Sequence, residues 1–291
     1  VYEHSLRMIA EKPLAGWGYG RFVHDFVHSH ADWRTAEEGR APLREHYGHP
    51  HNELFYWGIE GGLLPALAIL AFALWLARRI IIRGPSGERL MLLALLAPLA
   101  VHSLLELPFY HSIAHWLVML LLLGLVASRC WKGEERENRY TFGVKVVSGL
   151  AAPALVLFMA THLHTLWQVK AHVESGGERP GTLTAIINPF GMPMTLDFQV
   201  MSQQLQAAAG LGIGGFIEEY LVWGEEHARL APNPALYANM VHAERMLSRD
   251  LENSEIAQKA GQLFPAFEVV TEALKHNASA TKKISTLFEV E

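Results

Sequence analysis

The 291 residues contain one cysteine, Cys130, so no intramolecular disulfide staples the fold, and cysteine usage says nothing about compartment. Charge is scarce as well: 18% of residues are Asp, Glu, Lys or Arg, against 51% hydrophobic, with a mean hydropathy of +0.14. That balance is high for a soluble protein and low for one sunk wholly in lipid. It fits a membrane region joined to substantial water-exposed parts. No Gly-rich phosphate loop, CxxC pair or HExxH motif occurs. The polar first residues lack a signal-peptide pattern, and the chain opens with Val1. It reads as the C-terminal part of a longer polypeptide with further membrane spans upstream.

What is present is four apolar segments: Gly62–Ile82, Leu90–Pro108, Ser112–Ser128 and Val144–Leu163. Each is close to the ~20 residues a helix needs to cross a bilayer core, and a backbone in lipid must satisfy its own hydrogen bonds. The expected fold is therefore all-α, with polytopic membrane helices, about four of them, spanning residues 62–163. Pro98 is expected to kink the second span.

The net charge of −5 is unevenly spread. Residues 1–61 carry 6 Lys and Arg against 9 Asp and Glu, residues 62–163 carry 9 against 5, and residues 164–291 carry 9 against 15. The acidic ends argue against nucleic-acid binding. Arg78, Arg79, Arg83 and Arg89 lie between the first two apolar segments, and Arg129, Lys132, Arg136, Arg139 and Lys145 between the last two. The turn around Phe109–His111 has neither Lys nor Arg. By the positive-inside rule the basic loops are cytoplasmic. Residues 1–61 form a large loop, and residues 164–291 a helical domain, both on the opposite, periplasmic side. In the loop, Tyr2–Lys12 reads as a short helix ended by Pro13, followed by a glycine turn at Gly16–Gly20. In the domain, helices are expected at Leu196–Ala209, Phe216–Leu230, Pro234–Leu247 and Ile256–Phe264 from apolar spacings of three and four. Short paired helices suggest a TPR-like array, although no clear internal repeat is found. The tail after Asn277 is expected to fray.

Chemistry concentrates in Arg44-Glu-His-Tyr-Gly-His-Pro-His-Asn-Glu53. Loop histidines are more often solvated or capping than catalytic. Here His49 and His51 flank Pro50, which should hold them extended, and Glu53 opens a helix where a carboxylate suits the dipole. A neutral imidazole near pH 7 is a competent general base. His102 and Glu106 are four apart on one expected helix, as are His111 and His115. Ionisable groups in a span are costly, so each is a site candidate against the plainer reading of an interhelical hydrogen bond. Arg21, Arg34, Arg40 and Arg44 either pair with neighbours such as Glu37 and Glu38 or clamp phosphate oxygens. Trp17, Tyr19 and Trp33 either stack on sugars or anchor at the interface. A zinc reading of His46, His49 and His51 lacks a thiolate or carboxylate at familiar spacing.

Two stretches carry a family likeness: Arg7-Met-Ile-Ala-Glu-Lys-Pro-Leu-Ala-Gly-Trp-Gly-Tyr-Gly20, and His49-Pro-His-Asn-Glu-Leu-Phe-Tyr-Trp-Gly-Ile-Glu-Gly-Gly62. They resemble the O-antigen ligase/polymerase superfamily. His102-Ser-Leu-Leu-Glu-Leu-Pro-Phe-Tyr-His111 and Ala231-Pro-Asn-Pro-Ala-Leu-Tyr237 are similar, more narrowly, to the bacterial O-linked oligosaccharyltransferases that glycosylate pilins. The resemblance implies transfer of a preassembled glycan from undecaprenyl diphosphate to a Ser or Thr hydroxyl of a periplasmic or pilin protein, at the inner membrane. It implies His51 as the acceptor's base, with His49 beside it, and Arg44 as the cation for the departing diphosphate. Asn52, Glu53, Arg40, Trp17, Tyr19, His102, Glu106 and His111 are the expected substrate-binding residues. No metal or other cofactor is called for. Ligases carry a further position after the glycine that matches Gly62; here Pro65 occupies it, which weakens a ligase assignment. Ligase or polymerase activity, on a lipid-linked acceptor, is the alternative. A non-enzymatic metal-binding or scaffold protein built on the 16 histidines is the alternative of another class.

Overall fold

The computed structural model describes residues 1–37, 39–111, 113–131, 141–177, 179 and 181–275. Thirteen α-helices run through them: α1 (Tyr2–Glu11), α2 (Phe22–Ala36), α3 (Glu53–Gly61), α4 (Leu63–Arg83), α5 (Arg89–Leu105), α6 (Pro108–His111), α7 (Ile113–Cys130), α8 (Thr141–Glu174), α9 (Pro193–Leu211), α10 (Gly214–Ala228), α11 (Pro234–Met246), α12 (Glu255–Leu263) and α13 (Glu268–Leu274). A 3-10 turn occupies Pro189–Gly191, and there is no strand among the described residues. The chain is all-α.

Among the described residues, two stretches are long and apolar enough to cross a membrane, Leu63–Arg83 and Lys145–Glu174. Arg89–Leu105 and His115–Cys130 are shorter apolar helices. At 1.5 Å per residue, the 21 residues of α4 extend about 31 Å, the thickness of a hydrocarbon core. α5 continues through Pro98. Leucines along these helices face outward, Leu64 at 78% and Leu121 at 74% exposure, as lipid-facing side chains do.

The chain divides into two compact units. The first comprises Val1–His30 and Tyr47–Arg136. Within it α4, α5 and α7 pack at their basic-loop ends through Leu76, Ile80, Leu92, Val126 and Cys130. Arg129 pairs with Glu88 at 3.1 Å across that end, and the Arg79 guanidinium lies over the Trp131 ring. At the opposite end, α3 and α4 are separated by a sharp elbow at Gly62, where φ is +77°. The glycine turn after α1 clamps this elbow. Trp17 N donates to Ile59 O (2.7 Å), Gly18 N to Glu60 O (3.0 Å), and Leu63 N to Pro13 O (2.7 Å). These bonds satisfy the last carbonyls of α3 and the first amide of α4, which helix ends otherwise leave unpaired. A Cβ on Gly16 would sit 2.4 Å from Glu60 O, so only glycine allows the approach.

The second unit comprises Ala31–His46 and Glu137–Glu291. Its centre is α11, whose residues Pro234 to Glu244 are all buried. Asn233 caps it by accepting from Leu236 N at 2.8 Å, and Pro234 holds the first helical position. α9, α10, α12 and α13 surround it, contributing Phe198, Leu205, Tyr220, Leu263 and Val270. Burial keeps the Tyr237 hydroxyl protonated, up to about 12, and holds His227 and His242 below their usual range. The end of α2 and the segment after it pack onto these helices: Arg34 donates to Gln262 O (2.7 Å), and His46 Nε2 meets Pro232 O (3.0 Å). Ala31–His46, about a quarter of the expected first loop, thus packs with the C-terminal helices. The four helices expected in the tail are present within a few residues of their expected bounds; α2, α6 and α13 were not expected, and His111 and His115 fall on separate helices, α6 and α7, rather than on one. Residues after Asn277 lie outside the described residues.

Candidate active site

Three expected residues come together in the first unit: His49, His51 and Glu106. Their ligand-type atoms lie within 4.8 Å of one another. His51 Nδ1 is 2.9 Å from Glu106 Oε1, and His49 Nε2 is 3.8 Å from Glu106 Oε2. The two imidazoles meet edge to face with centroids 4.5 Å apart. His49 is buried, while the side chain of His51 is 26% exposed and open to an incoming group.

The backbone differs from expectation at two points. His51 is not extended: its φ is +53°, in the left-handed region that few non-glycine residues adopt. This turns the ring toward Glu106 and lets Asn52 cap α3, its Oδ1 accepting from Phe55 N at 3.0 Å. Glu106 does not share a helix face with His102. α5 stops at Leu105, and Glu106 is its extended C-cap, with its N–H on His102 O at 2.8 Å. Leaving the helix frees the carboxylate to reach across to His51.

The proton positions follow from donor capacity. A carboxylate accepts only, so His51 Nδ1 carries the proton in their bond, and the lone pair of neutral His51 sits on Nε2. The His51 amide donates to His49 Nδ1 at 3.2 Å, so neutral His49 carries its proton on Nε2, facing Glu106. The result is one carboxylate oriented between two imidazoles. The same three residues form a His–His–Glu donor set of a kind that binds zinc. A cation on His49 Nε2 would move the imidazole proton to Nδ1, against the His51 amide.

Neighbouring expected residues fix this geometry. Asn52 Nδ2 donates to Leu104 O (2.9 Å), joining the start of α3 to the end of α5. Glu53 is buried and accepts from Trp57 Nε1 (3.0 Å) and Phe109 N (3.2 Å). Burial raises its pKa, opposed by those two donors. Tyr56, also buried, has its ring tilted 56° to that of Tyr110, and its pKa is pushed up by burial and the hydroxyl contact with Tyr110. Tyr2 OH donates to His51 O (3.3 Å), a contact that sequence spacing gave no means to find.

Others are placed elsewhere. His102 packs edge to face on His115, with centroids 4.9 Å apart. Trp17 donates to Met8 O (2.9 Å) beneath the Lys12 ammonium, while Tyr19 is exposed. Arg40 stacks on Trp33 and pairs with Glu37 at 3.0 Å. Arg21 pairs with Asp25 at 2.9 Å. Arg44 is exposed and belongs to the second unit. The side chain of His111, and all of Glu38, lie outside the described residues.

No curated protein matches the chain, and no solved structure does. A family model described as "virulence factor membrane-bound polymerase, C-terminal" matches residues 90–278, well over half of the chain. The matched region starts at α5, includes Glu106, and extends through the C-terminal helices. It brings with it a membrane setting, a lipid-linked glycan as substrate, and glycan processing of the polymerase or ligase type. On that match, the chain belongs to the membrane-bound polymerase C-terminal family of the O-antigen ligase/polymerase-like proteins.

Proposed function

We propose that this chain carries the catalytic centre of a membrane oligosaccharyltransferase. It would move a preassembled glycan from undecaprenyl diphosphate to a Ser or Thr hydroxyl of a periplasmic or pilin protein. The observation that supports this reading is the 2.9 Å bond from His51 Nδ1 to Glu106, which leaves the His51 Nε2 lone pair as proton acceptor.

In the proposed step, the acceptor hydroxyl donates to His51 Nε2. Its oxygen bonds to the anomeric carbon as the bond from that carbon to the diphosphate oxygen breaks. The electron pair leaves with the diphosphate, and the hydroxyl proton ends on His51. The imidazolium so formed lies against the Glu106 carboxylate, while His49 steadies the second carboxylate oxygen. Because diphosphate is already a good leaving group, the work left to the protein is orientation, late proton acceptance and charge stabilisation. Arg44 is assigned to the leaving diphosphate on family resemblance. Residues 1–61 and 164–291 would be periplasmic, and the loops around Arg83 and Arg136 cytoplasmic.

The family description favours a second reading, in which the acceptor is another lipid-linked glycan and the reaction is polymerisation. One experiment separates them: co-express the protein with a lipid-linked glycan pathway and a candidate pilin. A mass increase on the pilin equal to the glycan supports protein transfer. Lengthened glycan on the lipid with an unchanged pilin supports polymerisation. Metal analysis of the same purified protein tests the non-enzymatic metal-binding alternative, which requires stoichiometric metal and unfolding by chelator.

A further inference from the structure

After α8 the chain doubles back, and the turn at Ile187–Phe190 is fastened to the side of that helix. Thr165 Oγ1 donates to Asn188 O at 2.7 Å. Asn188 Nδ2 donates to Thr161 Oγ1 at 2.9 Å and reaches Phe158 O at 3.4 Å. Asn188 Oδ1 accepts from Phe190 N at 3.2 Å, fixing the next turn. Thr165 and Asn188 are both buried. These attachment points lie inside or beside the apolar part of α8. Phe158 is five residues before Leu163, about 7.5 Å down the helix axis.

The turn held at that depth presents apolar side chains outward: Ile187 is 65% exposed and Phe190 83%. Beside its attachment points on α8, Leu157 and Phe158 are exposed as well. From Gly181 to Leu196 the sequence has no Asp, Glu, Lys, Arg or His, in a segment of the chain (164–291) that is otherwise strongly acidic. A charge-free apolar projection continuous with a lipid-facing helix is suited to hydrocarbon. Trp167, one turn beyond Leu163, marks the level where indole rings sit at a membrane surface.

We infer that the Ile187–Phe190 turn is a membrane-inserted wedge. It enters the headgroup–acyl boundary of the leaflet at the C-terminal end of α8, so the helical domain rests on the bilayer at two points rather than hanging from one helix. Asn188 allows this at low cost. It occupies the hydroxyls of Thr161 and Thr165, and its carbonyl and side chain are themselves satisfied, as polar groups at this depth must be. This inference is independent of the glycosyl-transfer reading.

The test uses full-length protein in lipid nanodiscs with Cys130→Ala, carrying single nitroxide labels at Phe190→Cys and, separately, Ile187→Cys. Leu157→Cys and Glu226→Cys serve as membrane and water references. The expected result is that both loop labels collide with oxygen several-fold more readily than with a water-soluble nickel chelate, as at Leu157, with the order reversed at Glu226. Nickel accessibility like that at Glu226 at both loop positions would overturn the inference. Protection from both reagents would overturn it too, because protein rather than lipid would then cover the turn.

Discussion

His51 Nδ1 and Glu106 Oε1 lie 2.9 Å apart although 55 residues separate them in the chain. The bond sets the tautomer of His51 and gives the imidazolium a partner as it forms. Glu106→Ala should therefore lower transfer by roughly 10²-fold or more, the scale of general acid–base effects. Glu106→Gln keeps an acceptor for Nδ1–H without the charge, and should fall between alanine and wild type. The check is single-turnover transfer with saturating acceptor. Equal rates for wild type and Glu106→Ala would remove the carboxylate from the mechanism.

The two histidines should separate by what each loses. His51 is partly exposed, so His51→Ala should leave expression and unfolding temperature near wild type while bringing transfer close to background. His49 is buried and accepts the His51 amide. His49→Ala should cost roughly 1–3 kcal/mol of stability by leaving that amide unpaired, and reduce transfer indirectly by loosening His51. Paired transfer and thermal-unfolding measurements decide it. If His49→Ala is inactive and His51→Ala active, the base is His49.

How much of this was legible beforehand depends on the range of each interaction. The apolar helices and most of the C-terminal ones were readable because burial periodicity and proline starts act locally, as at Pro234. His49 and His51 stood out in the sequence through their motif. Their partner was only half readable. Glu106 stood out as a charge in an apolar stretch, but its pairing with His51 depends on α5 ending at Leu105, which helical spacing from His102 did not reveal. The positive φ of His51 was hidden for a related reason: Pro50 restrains the residue before it, not the one after. α2 was missed because its histidines and aspartates blur the apolar stripe.

The elbow beneath the site rests on glycine. Gly16 has φ +64°, and a Cβ there would meet Glu60 O at 2.4 Å. Gly16→Ala should destabilise the protein by about 1–3 kcal/mol through backbone strain and the displaced end of α3. Gly20, with positive φ but nothing within 4 Å of its Cβ, should lose less on the same substitution. Thermal unfolding in matched detergent compares them, and equal losses would show that the approach to Glu60 carries no energy.

Acid should weaken the first unit through His4. Burial, aided by the nearby His30, lowers its pKa from 6.5 to about 4. The unfolded chain therefore binds the proton first. This stability is present above pH 6.5 and is lost as pH falls toward 4, to the order of 3 kcal/mol in full. His4→Gln should show a shallower loss across that window, although its starting stability is lower because the packing on Phe26 changes. Unfolding midpoints measured from pH 7 to 4.5 check the slope, and parallel curves would exclude His4 as the titrating group.

Sidedness is decided by where the arginines sit, and exposed positions can report it. Leu14 lies in the turn after α1, Asp250 follows α11, and Ser86 lies between α4 and α5; all three are exposed. His30, on α2, would make a poor reporter because it is buried. With Cys130→Ala as background, Leu14→Cys and Asp250→Cys should react with an impermeant maleimide added to intact cells whose outer membrane has been opened. Ser86→Cys should react only after the inner membrane is broken, because four arginines, Arg78, Arg79, Arg83 and Arg89, flank it and resist translocation. The reverse pattern would place His51 on the cytoplasmic face. That would be incompatible with transfer to a periplasmic acceptor, whatever the geometry of the histidines.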